Sequence, residues 1–416
     1  MILKETLQGV VNSQKEQLPT MDTGVVRDEL SRIDVNLPFA IMISGIRRCG
    51  KSTLLRQVMR NARCFAYFNF EDPRTAGMES GDLLKLDSAL TEAYGKFDIY
   101  LLDEIQNING WETFVRSMLD RKKHFVITGS NASLLSRELG TKLTGRHLRH
   151  ELFPFSYGEF LKFTSSAAGP DSFGEYTRMG GFPEYIRYGR NEILQELLND
   201  ILARDIVVRQ KLRNPQTVKE MALYLLSNTG GEFSYNKLAK MFNLGSTNSA
   251  IAYVSYLEDS YLLFTVSRFD YSMKKQAISP KKVYSIDSGL YRANSISFTP
   301  NKGRILENQV FLNMRRHGRQ VYYYKGKREC DFVVREGNSI VRAIQVCYDI
   351  DDDNRDREIK GLVEAIETFG LKEGLLLTCN QEDEMEFSER KIAIKPVWKW
   401  SLEQDSTSLG PNYPGI

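Results

Sequence analysis

A chain of 416 residues with 42% apolar and 26% charged residues is a folded globular protein, too long for one ordinary core and suited to two or three domains. Its net charge of +3 is too small to mark a nucleic-acid binder, so any basic surface has to be local. No run of about 18 apolar residues occurs, which excludes a membrane-spanning helix, and the polar start MILKETLQGVVNSQKEQL lacks the apolar stretch of a signal peptide.

In chain order, residues 1–36 read as a helical lead-in. From 37 to 189, short apolar runs alternate with helical stretches. FAIMIS (39–44), CFAYFNF (64–70), DIYLLD (98–103) and HFVITG (124–129) have the length of buried parallel strands. The helical patterns between them supply the crossovers of an open α/β sheet. The basic stretch 146–152 is a candidate fifth strand, and a Gly-rich connection at 179–183 follows. Residues 190–282 are mostly helical, with helices expected at 190–210, 216–227, 234–241 and 247–260 and a strand at 261–268. That is the order of a winged helix-turn-helix. Residues 283–402 open with a helix (306–316) and continue through strands at 320–325, 330–336 and 339–348, a further helix, and GLLLTC (374–379). They form a second α/β or α+β unit, and 403–416 are a tail. The five cysteines, Cys49, Cys64, Cys330, Cys347 and Cys379, form no CxxC pair. This argues against zinc fingers and a disulfide framework and points to a reducing cytoplasm.

The most specific chemistry lies early. Gly45-Ile46-Arg47-Arg48-Cys49-Gly50-Lys51-Ser52 matches GxxxxGK(S/T) at every fixed position, between the strand FAIMIS and the helical stretch STLLRQVMR. Glycines at this spacing let backbone N–H groups curl around phosphate oxygens at a helix N-terminus. Lys51 is expected to reach the β- and γ-phosphates of ATP and Ser52 to ligate Mg²⁺, with Thr53 completing the nucleotide-binding stretch. Residues 99–104 are an apolar strand ending in two acids. Asp103 is expected in the Mg²⁺ shell, and Glu104 to orient or deprotonate the attacking water. At the end of the fourth strand, Ser130 and Asn131 are candidates for contact with the γ-phosphate or the water; a helix N-cap accounts for the same residues. Arg146 and Arg149 are candidates for a charge-stabilising arginine, within the chain or on a neighbour, against the default of solvated surface arginine.

At these residues the sequence resembles a known group. GIRRCGKST (45–53), NFEDPR (69–74), LLDEIQN (101–107), ITGSNASLL (127–135), LTGR (143–146), LFPFSYGEF (152–160) and GGFPEY (180–185) are similar to a widespread group of bacterial and archaeal AAA-related ATPases. Its members join this core to a C-terminal domain of uncharacterised function that resembles the PD-(D/E)xK nucleases. The fold class expected is therefore α/β: an AAA-like P-loop parallel-sheet ATPase core, then a winged-helix-like helical region and a restriction-endonuclease-like α/β domain. Glu71, Asp72 and Arg74 belong to the shared pattern without an evident chemical role, and an acidic turn between sheet and helix accounts for them.

In the winged-helix reading, Ser246 caps the recognition helix, and Thr247, Asn248, Ser249 and Tyr253 lie near its exposed start. Arg268, Lys274, Lys275, Lys281 and Lys282 follow, with Phe269 and Tyr271 between them, a set suited to DNA phosphates and stacking. An interdomain packing module with a charged loop fits the same residues, and the recognition helix lacks Arg and Lys. In the nuclease-like pattern the four metal-site positions correspond to Glu307, Asp331, Gln345 and Cys347. The first two match; an amide at 345 and a thiol at 347 replace a carboxylate and a lysine, so a degenerate nuclease fold used for binding or assembly is expected. Lys325, Lys327 or Glu329 are the residues near enough in sequence to substitute.

The function expected is an Mg-dependent ATPase coupling nucleotide state to partner binding, with DNA the candidate partner. A nucleotide-stabilised scaffold with little turnover is the alternative. An ATP-dependent nuclease ranks below both, and a kinase fits Glu104 less well than water activation does. No membrane association is expected; self-association stays open, because sites of this kind are often completed across subunits.

Overall fold

The computed structural model describes residues 2–130, 143, 145–212, 214–295, 301–387 and 390–407. The chain falls into two compact units, Met1–Phe153 and Pro154–Ile416.

The first unit begins with helix α1 (Lys4–Gln17), whose Leu7, Val10 and Val11 are buried in the unit's core. Its sheet is formed by β1 (Ala40–Ser44), β2 (Phe65–Asn69), β3 (Ile99–Asp103), β4 (His124–Gly129) and β5 (His147–Glu151), in the order β2-β3-β4-β1-β5. All neighbours run parallel, with Ser44 opposite Gly129 and Asn69 opposite Asp103. Parallel pairing needs crossovers, which α2 (Lys51–Asn61), α3 (Leu83–Tyr94) and α4 (Trp111–Asp120) provide. Helices on the sheet leave the central strands dry, and every residue of AIMIS and IYLLD is buried. The four expected strands and the fifth all form, and they turn their carboxyl ends to one edge. That edge is where the P-loop starts. In an open α/β sheet it is also where ligands settle.

The second unit starts with short helices α5 (Tyr157–Thr164), α6 (Pro170–Met179) and α7 (Pro183–Tyr188). α8 (Asn191–Asp200) continues at wider, i→i+5 pitch through Ile201–Val208, and α9 (Pro215–Ser227) follows. Next come β6 (Glu232–Phe233), α10 (Tyr235–Met241), α11 (Thr247–Asp259), β7 (Leu263–Ser267), α12 (Met273–Ile278) and β8 (Lys281–Ser285), the strands pairing antiparallel in the order β6-β8-β7. Then α13 (Ser288–Asn294) and α14 (Lys302–Arg316) lead into a six-stranded mixed sheet. It comprises β9 (Gln320–Lys325), β10 (Glu329–Glu336), β11 (Ser339–Val346), β12 (Glu373–Thr378), β13 (Asp383–Phe387) and β14 (Arg390–Pro396) in the order β13-β14-β12-β11-β10-β9. β11, β12 and β14 run parallel, with α15 (Arg355–Phe369) covering Val333, Ala343 and Leu376. α16 (Val397–Thr407) closes the described chain.

The break after Phe153 lies well before 189, where the sequence pattern suggested the first domain would end. A clasp built from distant residues explains it. Asp287 caps α13 by accepting from Leu290 N at 2.8 Å, and its other oxygen accepts from Gly181 N at 2.6 Å. Phe155 N donates to Gly181 O at 2.8 Å, and Arg316 donates to the carbonyls of Pro154 and Phe155. Gly181 has to be glycine: a Cβ there would stand 2.4 Å from Phe155 O and 2.6 Å from Phe155 N. The segment 154–189 is thus stapled to α13 and α14.

Candidate functional site

The P-loop leaves β1 at Gly45 and enters α2 at Lys51. Gly45 lies so close to the end of β5 that a Cβ would sit 2.1 Å from Leu152 O. Lys51 is buried, and its Nζ donates to Gly45 O and Ile46 O, each at 3.1 Å. Glu104 Oε1 is 3.7 Å from the same ammonium. Burial opposes the lysine's charge, but the carboxylates of Glu104 and Asp103 outweigh it and raise its basicity above the ordinary value. Burial pushes the Cys49 thiol up as well, which leaves it neutral.

Register along the sheet assembles the rest. β4 lies between β1 and β3, so Thr128 meets Asp103: its hydroxyl donates to Asp103 Oδ1, and Glu104 N donates to Thr128 Oγ1 at 2.9 Å. The Ser52 side chain also favours the charged form of Asp103. Burial first, then the Glu104 charge, push the Asp103 carboxyl up to about 6, against the pull of Thr128 and Ser52. Glu104 sits in the left-handed backbone region at φ 56°, which turns its carboxylate off the strand axis. Gln106 Nε2 donates to Glu104 Oε2 and reaches Ser130 Oγ at 3.4 Å. Lys51, Ser52, Asp103, Glu104 and Ser130 therefore gather at one sheet edge. Thr128 and Gln106 join the group without having been singled out, though both lie inside the motif segments. A hydroxyl beside a carboxylate suits Mg²⁺, which needs few protein ligands when phosphates supply the others.

Other expected residues fare differently. Asn131 lies outside the described residues. Arg146 is not brought to this site. Its carbonyl accepts from Ala40 N at the opposite end of β1, a strand length of roughly 16 Å from the P-loop at about 3.3 Å per residue. Its guanidinium pairs with Asp120 at the end of α4. The reason is parallel pairing, which sets β5 beside β1 start to start. Arg149 lies opposite Met42 within the sheet and 3.4 Å from Glu151. Glu71 gains a role: Arg47 of the P-loop is 3.5 Å from it. Asp72 and Arg74 bond to each other within the turn.

Arg27, in the lead-in, carries no motif and yet is buried behind the P-loop. Its Nη1 donates to Cys49 O and its Nη2 to Phe153 O, both at 2.7 Å, and its backbone N donates to Gln57 Oε1 of α2. Charge-assisted bonds of this kind contribute about 1.5–3 kcal/mol each. Arg27→Met keeps the stem and frees two carbonyls; it is expected to weaken ATP binding by roughly tenfold or more on that scale. The check is the ATP-induced rise in thermal midpoint, which should shrink in the variant; an equal rise would show that Arg27 does not hold the loop.

In the second unit, the nuclease-like positions do not converge as a set. Glu307 and Asp331 meet, but around Lys282 Nζ, at 2.9 and 3.0 Å, with Glu329 at 2.9 Å. Gln345 instead accepts from Asp331 N at 3.1 Å and donates to Glu358 at 2.6 Å. Cys347 packs in the core under α15; burial pushes its thiol up to about 11. Lys325 pairs with Glu232 and Glu329 at the edge of this cluster, and it is Lys282 whose ammonium occupies the centre.

The expected phosphate-binding set is likewise corrected. Lys282 is buried, Lys281 donates to Ser267, and Arg268 donates to Lys325 O. Phe269 packs edge-on against Tyr322 and Phe369. Lys274, Lys275 and Tyr271 are exposed. Ser246 does cap α11, accepting from Ser249 N at 3.2 Å.

Residues 38–161 match the family described as an AAA domain. Residues 170–300 and 302–400 match two domains of unknown function, DUF8612 and DUF4143. The first unit is an AAA-related P-loop domain. An uncharacterised protein of Methanocaldococcus jannaschii, MJ1544, is 36% identical over 396 residues, covering 87% of this chain and 88% of that protein. The chain belongs to that protein's family. An uncharacterised Haemophilus influenzae protein is 28% identical over 77% of this chain and 85% of its own. Among solved structures, AMPPCP-bound DnaA from Aquifex aeolicus overlays 62% of this chain and 89% of its own at TM-score 0.27 and 14% identity. Cdc6p from Pyrobaculum aerophilum overlays 61% and 88% at 0.24 and 12%. Among the described residues, no helix is long and apolar enough to cross a membrane.

Proposed function

We propose that this chain binds Mg-ATP at Gly45, Ile46, Arg47, Arg48, Cys49, Gly50, Lys51, Ser52 and Thr53, hydrolyses it, and uses the nucleotide state to control partner binding by the second unit. The observation that carries this reading is the buried Lys51–Glu104 pair beside Asp103, Ser52 and Thr128. An ammonium held on the loop's own carbonyls is poised to exchange them for phosphate oxygens. Its departure would free Glu104 to act on water, with Gln106 and Ser130 orienting the carboxylate. Ser52 and Asp103 would hold Mg²⁺, which would neutralise phosphate charge there.

DNA is the partner class we favour. A helix, a short strand, two helices and a hairpin in that order fit a winged helix, with α11 as its recognition helix. The hairpin presents Lys274, Lys275 and Tyr271 to solvent. Because α11 has no Arg or Lys, phosphate contact rather than base readout would supply the affinity. Two measurements test the proposal together: ATP turnover against protein concentration with and without duplex DNA, and DNA affinity against salt. Lys274→Glu with Lys275→Glu is expected to weaken DNA binding and lower the salt slope by about 1.8. No DNA binding by the unmodified chain would sink the DNA part alone. Turnover per chain that rises with protein concentration would place Arg146 or Arg149 at a neighbour's site.

A further inference from the structure

The acidic centre of the second unit is built around an amine. Lys282 projects from β8, a strand of the three-stranded sheet, and is almost fully buried. Its Nζ lies 2.9 Å from Glu307 Oε1 on α14, 2.9 Å from Glu329 Oε1 and 3.0 Å from Asp331 Oδ1 on β10. The ammonium donates to Glu307 and Asp331, and Glu329 completes the ring of charge as an ion pair. Tyr284, two residues along the same strand face, donates to Glu307 Oε1 at 2.7 Å. Asp331 Oδ2 is turned away from the centre, accepting from Val346 N at 3.0 Å. Burial works against the charge on Lys282, but the carboxylates of Asp331, Glu307 and Glu329 raise its basicity well above the ordinary value.

A metal-dependent phosphodiesterase needs these same oxygens at about 2.0–2.1 Å from Mg²⁺. The position between them is filled by a cation of fixed charge that cannot leave without β8. Among the described residues, no group of three His, Cys, Asp or Glu side chains is arranged to hold a metal. The amide of Gln345 and the thiol of Cys347 add no ligand. With Lys282 among them, these oxygens hold an ammonium and leave no place for a divalent ion. We infer that Lys282 is the resident cation of this centre, standing where a nuclease of this shape would hold its metal. The carboxylates are then an anchor: they fix β8, and with it the β7–β8 hairpin that carries Lys274 and Lys275, onto α14 and β10.

The test is Mn²⁺ binding to the full chain without nucleotide, followed by electron paramagnetic resonance. The unmodified chain is expected to hold no Mn²⁺ at this centre. Lys282→Ala should gain one Mn²⁺ per chain, about tenfold or more tighter than any binding by the unmodified chain, and lose it again when Asp331→Asn is added. Removing one member of a buried ion cluster is destabilising, so Lys282→Ala can fail to fold in chelator. In that case recovery of the fold on adding Mn²⁺ counts as the same gain. Either a Lys282→Ala chain that neither binds Mn²⁺ nor is refolded by it, or an unmodified chain whose Mn²⁺ binding is lost on Glu307→Gln, overturns the inference.

Discussion

Glu104→Gln is expected to keep Mg-ATP bound while its turnover falls by roughly 10²–10⁴-fold, the range for removing a general base. The amide is isosteric with the carboxylate, so the backbone at φ 56° and the bond from Glu104 N to Thr128 need not change. What disappears is the negative charge 3.7 Å from Lys51 and the ability to take a proton from water. With that charge gone, Lys51 is held only by the carbonyls of Gly45 and Ile46 and is freer to meet phosphate. ATP affinity should hold or rise. Lys51→Ala should do the reverse and remove binding itself, because the buried ammonium is the cation inside the loop. Steady-state phosphate release beside equilibrium ATP binding separates the two. Unchanged turnover in Glu104→Gln would show that another group activates the water.

Gly181→Ala is expected to have the largest effect on stability. The added Cβ would stand 2.4 Å from one Phe155 backbone atom and 2.6 Å from another, so the turn has to open. Overpacking of this kind costs about 1–3 kcal/mol. Opening also draws Gly181 N from the buried Asp287 carboxylate, at a further cost of about 1–3 kcal/mol. Against a typical stability of about 5–15 kcal/mol, the sum is a large fraction. Asp287→Ala should reproduce much of it by removing the carboxylate that joins this turn to α13. Calorimetry should show a lowered unfolding midpoint in both variants. An unchanged midpoint in Gly181→Ala would mean that the clasp bears no weight.

Local chemistry was readable in the sequence, and long-range placement was not. The P-loop declares itself because glycine spacing, strand and helix are contiguous, and Asp103-Glu104 because an apolar strand ends on two acids. Four of the five parallel strands follow from short apolar runs between helical patterns, while the fifth lies in the basic stretch 146–152. Arg27 escaped because a lone arginine in a polar lead-in carries no spacing, and its partners Cys49 and Phe153 are set by the fold. Arg146 was mistaken for a candidate in this chain's own site because nearness to a motif does not reveal which end of the sheet it occupies. The basic neighbours of Lys282 suggest a phosphate contact. Alternation along β8 instead turns it inward, toward carboxylates 25 and 49 residues away. The boundary after Phe153 depends on Asp287, 106 residues beyond Gly181.

In the proposed mechanism one buried ammonium–carboxylate pair both receives ATP and cleaves it. The most direct measurement is the identity of the nucleotide retained on Glu104→Gln after incubation with Mg-ATP and rapid desalting. Intact ATP, where the unmodified chain retains ADP or nothing, is the predicted result. ADP on Glu104→Gln, formed as fast as on the unmodified chain, would contradict it.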